Sequence, residues 1–416
     1  MQAKKNYDII VAGGGVAGVA AALTARRCGK TVLLLEKSIL LGGLATLGLV
    51  NYFVPMDDGK GHQVCFGMAD EWLRESDLYG YGTIAPEWRS RMNGMPAQRT
   101  TKRLNQHFSA YIFAMQLTEK VVNAGVDLLF DCLATEPVME NDVCRGVVTE
   151  SKSGRQYFEG KMIIDTTGDA DLLRRVGVPT ENGKNYSVYM GDIVSLDSCK
   201  KALETGMIRD IYESFYGSYG KSTGRDHPEG VPNWSGTTVE DVTDYAVYNQ
   251  LQMLEKLKQN GLGHTRELVR IPHMPQFRTT CHMVGDYVLK KEDENRHFDD
   301  SVAAINDLLR RGYLFEVPLR CLCRRDYPNL LTAGRCASAE GHGWEVLRPI
   351  PPAILTGQAA ANAACLAIDE DCPVSDVDIR KLQDILENRD RVMIHFPDEW
   401  LEDHAGAIVG ENVAHL

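Results

Sequence analysis

Hydrophobic and polar positions set a rhythm at the start of the chain that the middle abandons and the end resumes. Residues 7–12 form a short apolar run, which predicts a buried strand. An alanine-rich helical pattern follows to about Arg27, and a second apolar run over residues 31–35 ends at Glu36. Further helices are expected over residues 64–74 and 104–124, the latter stopped by Asn123-Ala124-Gly125. Between them, residues 75–103 are rich in Gly, Pro and Arg and have no clean period. They form either an excursion over a site or a surface loop.

From residue 126 to 165 the pattern is a meander. Strands are expected over 126–130, 138–140 and 144–150, with a turn at Asn141-Asp142. A second turn at Ser153-Gly154 leads through 155–158 into the apolar run 161–165, which closes in Thr-Thr-Gly-Asp. Residues 178–313 lack strand–helix alternation. Their clearest helix is 239–260, stopped by Gly261-Leu262-Gly263. This part holds Tyr186, Tyr189, Tyr212, Tyr216, Tyr219, Tyr245 and Tyr248, with Phe215 and Trp234. They serve either as core packing or as the wall of a ring-binding pocket. Apolar strands return at 313–320 and 329–335. A helix of small residues over 353–368 follows Pro349, Pro351 and Pro352, and a charged amphipathic helix is expected over about 377–391.

The opening unit carries specific chemistry. Gly13-Gly14-Gly15-Val16-Ala17-Gly18 joins the first strand to the first helix, and Glu36 ends the second strand. This is the full strand, glycine loop, helix, strand and acid of a dinucleotide site. Gly13 permits the tight turn, Gly15 lets backbone approach a pyrophosphate, and Gly18 allows close helix packing. The helix N-terminus offers free N–H groups to phosphate, and Glu36 can accept bonds from a ribose diol.

Composition narrows the rest. The net charge is −12 with no basic run, so nucleic acid is not an expected partner. The eleven cysteines are scattered without a C-x-x-C, and only Cys321 and Cys323 are close. That pattern fits a reduced cytoplasmic protein without disulfides or an iron–sulfur cluster. No metal site is expected. Lys4 and Lys5 before an apolar stretch imitate a signal peptide, but Asp8 and the glycines interrupt it. Neither secretion nor a membrane span is expected.

Past Glu36, Lys37 is followed by Gly42-Gly43 and Thr46, which resembles the second FAD motif of glutathione-reductase-like flavoproteins. With residues 163–173, 278–289 and 313–366, the chain resembles a bacterial FAD-dependent oxidoreductase family in that superfamily. It is distantly similar to the fumarate reductase flavoproteins. The resemblance implies an α/β fold: a Rossmann-like FAD-binding domain with an inserted α+β substrate domain. The FAD-binding domain would comprise residues 1–60, 117–178 and 315–372. Residues 61–116 and 179–314 would form the substrate or cap region, and 373–416 a helical tail. FAD contacts are implied for Gly13, Gly15, Val16, Ala17, Gly18, Glu36, Lys37, Gly42, Gly43 and Thr46. They are implied also for Leu133, Gly168, Asp169, Gly334 and Arg335. Arg335 stands where many relatives carry an acid, which suggests a pyrophosphate or flavin contact. The helix from Ala353 would point its N-terminus at the flavin pyrimidine edge.

Two clusters outside these motifs are candidates for substrate chemistry. Arg278 and His282 are four apart, which places them on one side of a helix or a strand. His342, between two glycines, and Arg348 follow the strand that ends at Gly334. An arginine could anchor an anion, and a histidine could move a proton near neutral pH. His62 and Cys65 are candidates for a covalent flavin link. No second nucleotide fold is legible, so the electron partner is a substrate, another protein or a transient nicotinamide. The expected activity is hydride transfer between flavin N5 and a small substrate, cyclic or anionic. The alternatives are a flavin-bearing electron-transfer subunit, or an enzyme modifying a heterocycle or RNA base; the acidic charge opposes RNA. The sequence does not define an oligomeric state.

Overall fold

The structure is a computed structural model that describes residues 3–401 apart from 79, 97, 99, 221–223 and 261–262. Its main sheet has parallel strands in the order Asp127–Leu129, Val32–Leu35, Lys5–Ala12 and Gly154–Asp165, with Leu330–Thr332 beside the last. The long strand Gly154–Asp165 serves two sheet regions. Its first half pairs antiparallel with Val143–Ser151, which pairs in turn with Cys132–Glu140. Its second half lies between Lys5–Ala12 and Leu330–Thr332, both parallel to it. The sequence changes accordingly. The alternating half has one wet face, whereas Met162–Asp165 is buried throughout, as a strand covered on both faces must be.

Helices Val16–Arg27 and Ile350–Glu370 cover one face together. Both are built from small residues because their backbones nearly touch. A Cβ on Gly357 would stand 2.2 Å from the Ala17 carbonyl oxygen. The same core takes in Trp72, Trp88, Leu104, Phe108 and Phe113, from helices Gly67–Leu78 and Ala110–Asn123 and the stretch between them. A separate core holds Tyr189, Ile193, Trp234, Tyr245 and Phe277. It lies between helix Val239–Gln259 and the sheet Glu213–Tyr219, Val188–Ser195, Arg266–Arg270.

Several element limits move. The helix expected over 64–74 is Gly67–Leu78, and the one expected over 104–124 begins only at Ala110. Gln106–His107 instead pairs with Tyr52–Phe53. The small-residue helix starts at Ile350, because proline is compatible with a first turn that needs no N–H there. The tail helix is shorter, Ile379–Asp384, and widens into a π turn at Ile385–Arg389. Of the stop after Gln259, Gly261 and Leu262 lie outside the described residues, as do tail residues 402–416. No described helix is long and apolar enough to cross a membrane. All eleven cysteines are free thiols.

Candidate active site

A cavity of about 1000 Å³ opens at the C-terminal ends of the parallel strands, where open α/β sheets place ligands. The glycine loop forms one wall, and its glycines have different reasons. Gly13 has φ +104°, and a Cβ there would lie 2.5 Å from the Thr166 carbonyl oxygen. On Gly18 a Cβ would lie 1.9 Å from the Gly13 carbonyl oxygen. Gly15 has an ordinary φ of −65° and nothing within 4 Å of its Cβ position. The chain itself therefore does not require glycine at position 15, and the open space there faces the cavity. No side chain caps the helix that begins at Val16, and Val16 and Ala17 line the cavity.

Glu36 is held by backbone. Its Oε2 accepts the Gly14 N–H at 2.8 Å and its Oε1 accepts the Ser38 N–H at 2.7 Å. Each oxygen retains a lone pair for a ligand hydroxyl. The Gly42 N–H donates to the Gly14 carbonyl at 2.8 Å, stitching the second motif to the first. Lys37, Gly42, Gly43, Leu133, Gly168 and Gly334 line the same cavity. Thr46 and Gly18 do not, among the described residues. Thr46 is buried and its hydroxyl donates to the Leu41 carbonyl at 2.7 Å, shaping the turn.

Arg335 lines the cavity, yet its guanidinium is committed to protein groups. Nε donates to the Gly168 carbonyl at 2.9 Å, Nη2 to Asp169 Oδ1 at 2.7 Å, and Nη1 to the Phe277 carbonyl. It locks the Thr-Gly-Asp turn to the segment before Arg278. Asp169 is its partner and does not itself line the cavity. The N-terminal end of helix Ile350–Glu370 reaches the cavity through Pro349, Ile350 and Ala353.

The chemical cluster sits beyond the glycine loop. Arg278, His342, Glu345 and Arg348 all line the cavity, so three of the four expected catalytic residues meet. His282 does not join them. Only residues 281–283 are strand, whereas 278–280 are irregular, so four-residue spacing does not keep Arg278 and His282 on one side. The His282 ring is buried edge-on against Trp344, with Nδ1 2.8 Å from the Met283 carbonyl oxygen. Burial pushes its pKa down.

Arg348 pairs with Glu345, and Arg278 feels both. Burial and then the like charge of Arg348 depress the Arg278 pKa, with Glu345 acting the other way. Burial raises the Glu345 pKa, but Arg348, Arg278 and His342 outweigh it and leave it below the usual range. His342 has a partner that sequence reading missed. Its Nε2 lies 2.6 Å from Oδ2 of the fully buried Asp307. Burial raises the Asp307 pKa, but bonds from His342, the Leu309 and Arg310 N–H groups and the Arg310 charge bring it below the usual range. Asp307 follows the apolar strand Ser301–Asn306, and an acid just past a strand end was the available signal.

At the other end of the cavity the tyrosines divide. Tyr212, Tyr216 and Tyr219 line it, while Tyr189 and Tyr245 are core. The Arg270 guanidinium stacks 3.9 Å from the Tyr212 ring centre, with Nε 2.9 Å from Asp192 Oδ2. His107 lies beside Tyr52, ring centres 4.4 Å apart. Burial and then the charge of Arg209 push its pKa down to about 4. His62 and Cys65 do not line the cavity. His62 bonds Asp58 at 2.6 Å and stacks on Trp400; burial pushes the Cys65 thiol up to about 12. A covalent flavin link through either has no support in this geometry.

The fold and the glycine-loop site define a dinucleotide-binding α/β protein. Comparison with known proteins narrows this: the family model for FAD dependent oxidoreductases matches residues 8–232 and 207–386, and the chain belongs to that family. A digeranylgeranylglycerophospholipid reductase of Methanoculleus marisnigri is 29% identical over 180 residues, 42% of each chain. The tRNA uridine 5-carboxymethylaminomethyl modification enzyme of Lactobacillus johnsonii is 27% identical over 164 residues, 39% of this chain and 24% of that one. The chain thus spans less than half the length of the curated relatives it matches. Since archaeal and bacterial proteins both appear, a bacterial origin is not part of the finding. A geranylgeranyl bacteriochlorophyll reductase-like structure from Thermoplasma acidophilum covers 92% of this chain and 84% of its own, at 16% identity and TM-score 0.46.

FAD is the family's cofactor, and the residues present fit it. Gly15 lines the cavity with open space at its Cβ position, Glu36 presents a fixed carboxylate, and the first turn of the helix at Val16 is uncapped.

Proposed function

We propose that the protein passes a hydride between a carbon of a small organic substrate and N5 of bound FAD. Arg278 and Arg348 hold an anionic group of the substrate, and His342, positioned by Asp307, moves a proton. The observation that carries this reading is convergence: residues from three separate segments meet in the cavity that the glycine loop also lines. FAD supplies the two-electron chemistry when bound. The chain supplies the rest. Two guanidiniums face one carboxylate, Glu345, which leaves a positive excess for an anion.

Nε2 of His342 lies 2.6 Å from Asp307 Oδ2, which can only accept, and 2.8 Å from Arg310 Nη2, which can only donate. When Nε2 holds a proton for Asp307, Nδ1 is the base. It has no hydrogen-bond partner among the described residues. Apolar wall from Leu49, Val54, Met190, Met274 and Phe277 suits an apolar substrate body. The name of the archaeal relatives, a phospholipid reductase, fits an anionic head on an apolar body.

The test is an oxygen-free titration of the FAD-loaded protein with enoates, cyclic alcohols, sugars and carboxylates. An anionic member should bleach the flavin bands, and Arg278→Ala should stay yellow but lose the bleaching. Turnover that persists in protein stripped of FAD would refute the reading.

A further inference from the structure

Away from the cavity, three distant segments bring His297, Glu316 and His395 together, with a ligand-type atom of each within 4.8 Å of the others. Glu316 belongs to strand Leu314–Pro318, and its side chain is fully buried. Nδ1 of His297 lies 2.6 Å from one carboxylate oxygen, and Nδ1 of His395 lies 3.0 Å from the other. The Phe298 N–H adds a bond at 2.8 Å. No Lys or Arg pairs with Glu316 among the described residues.

The second nitrogen of His297 is informative. Its Nε2 lies 2.9 Å from Asp398 Oδ1, so it is placed to donate there. If the ring is neutral, Nδ1 then carries a lone pair that faces the carboxylate of Glu316. Both ring nitrogens thus face carboxylates, which a second ring proton or a cation bound beside Nδ1 would satisfy. His395 turns its own Nδ1 to the same carboxylate, and the two rings are 6.0 Å apart. One metal ion would take both Nδ1 atoms and the carboxylate at once. A histidine between a metal and a carboxylate is also the arrangement that orients metal-binding imidazoles.

We propose that His297, Glu316 and His395 bind a divalent transition-metal ion of the zinc type, with Asp398 orienting His297. Two imidazoles and one carboxylate suit zinc, whereas magnesium and calcium favour oxygen alone. The half-exposed histidines leave access for the ion and room for water to complete its shell. The ion fastens the segment around His395 to the strand pair Ser301–Asn306 and Leu314–Pro318. Two bonds already dock that segment: Ser301 Oγ to the Ile394 carbonyl at 2.6 Å, and the Ala304 N–H to the Met393 carbonyl at 2.7 Å.

The experiment is zinc titration of full-length, FAD-loaded protein after chelator treatment, with thermal midpoints read at each step. The wild type should take up one zinc per chain and gain thermal stability. His395→Ala, an exposed position, should keep the fold and lose both effects. Asp398→Ala should bind zinc about 10–100-fold more weakly. The proposal is overturned by no uptake by the wild type at micromolar zinc, or by uptake unchanged in both His297→Ala and His395→Ala. A midpoint that responds to pH but not to zinc would also overturn it, marking a protonated imidazole pair.

Discussion

Nε2 of His342 and Oδ2 of Asp307 lie 2.6 Å apart across 35 positions of sequence. The carboxylate is fully buried and also accepts the Leu309 and Arg310 N–H groups through Oδ1, at 2.8 and 3.0 Å. It is therefore a fixed anchor for the imidazole. Asp307→Asn keeps an oxygen for those two N–H groups but can present an amide donor to Nε2. Turnover should fall at least about tenfold, within the 10²–10⁴ that a positioned proton carrier supplies, while KM changes little. A pH–rate profile that keeps its wild-type shape would deny His342 this role.

Gly15→Ala should separate folding from cofactor binding. The backbone there is ordinary and the new methyl meets no protein atom, so the FAD-free protein should keep its stability or gain up to about 1 kcal/mol. FAD affinity should drop at least about tenfold, equivalent to 1.4 kcal/mol. Gly18→Ala is the contrast, since its Cβ would collide with the Gly13 carbonyl and lower the thermal midpoint. Calorimetry of the apoproteins and the flavin-to-protein absorbance ratio give both readouts.

Glu36→Ala removes the proposed ribose acceptor and strands the Gly14 and Ser38 N–H groups. The apoprotein should lose about 1–3 kcal/mol, and the variant should purify largely colourless. Equilibrium dialysis against FAD would show a weakened affinity; an unchanged one would remove Glu36 from the site.

His107 predicts an acid limit. Its folded pKa is depressed to about 4, below the ordinary value of 6.5. The unfolded chain therefore binds the proton first as pH falls. The stability held above pH 6.5 drains away as pH approaches 4 and then levels. After discounting for the solvent-facing part of the ring, the loss is about 2 kcal/mol. His107→Gln should flatten that part of a stability-against-pH curve, measured by urea unfolding.

What could be read in advance follows from how far each signal reaches along the chain. The opening strand, glycine loop, helix and acid are set by neighbours in sequence, so periodicity and glycine spacing reveal them. The antiparallel meander before Asp165 was legible for the same reason: its turns are short. The Asp307–His342 pair depends on strand Ser301–Asn306 ending beside helix Gly341–Leu347, which no local pattern states. His282 was misplaced because the spacing argument assumes a regular element, and residues 278–280 belong to none. Arg335 reaches the cavity, but its partners Gly168, Asp169 and Phe277 come from two other segments and are not legible from its neighbours.

The near-contact of Gly357 with the Ala17 carbonyl has a consequence for change over evolutionary time. The two helices that bring their first turns to the cavity are pressed together without side chains to yield between them. Their relative position cannot drift by small adjustments, so a change in one first turn must be matched in the other. Tyr216 and Tyr219 of the cavity wall lie on strand Glu213–Tyr219, which packs on a separate core. That wall can be recut residue by residue, which lets new substrates be tried on an unchanged redox platform.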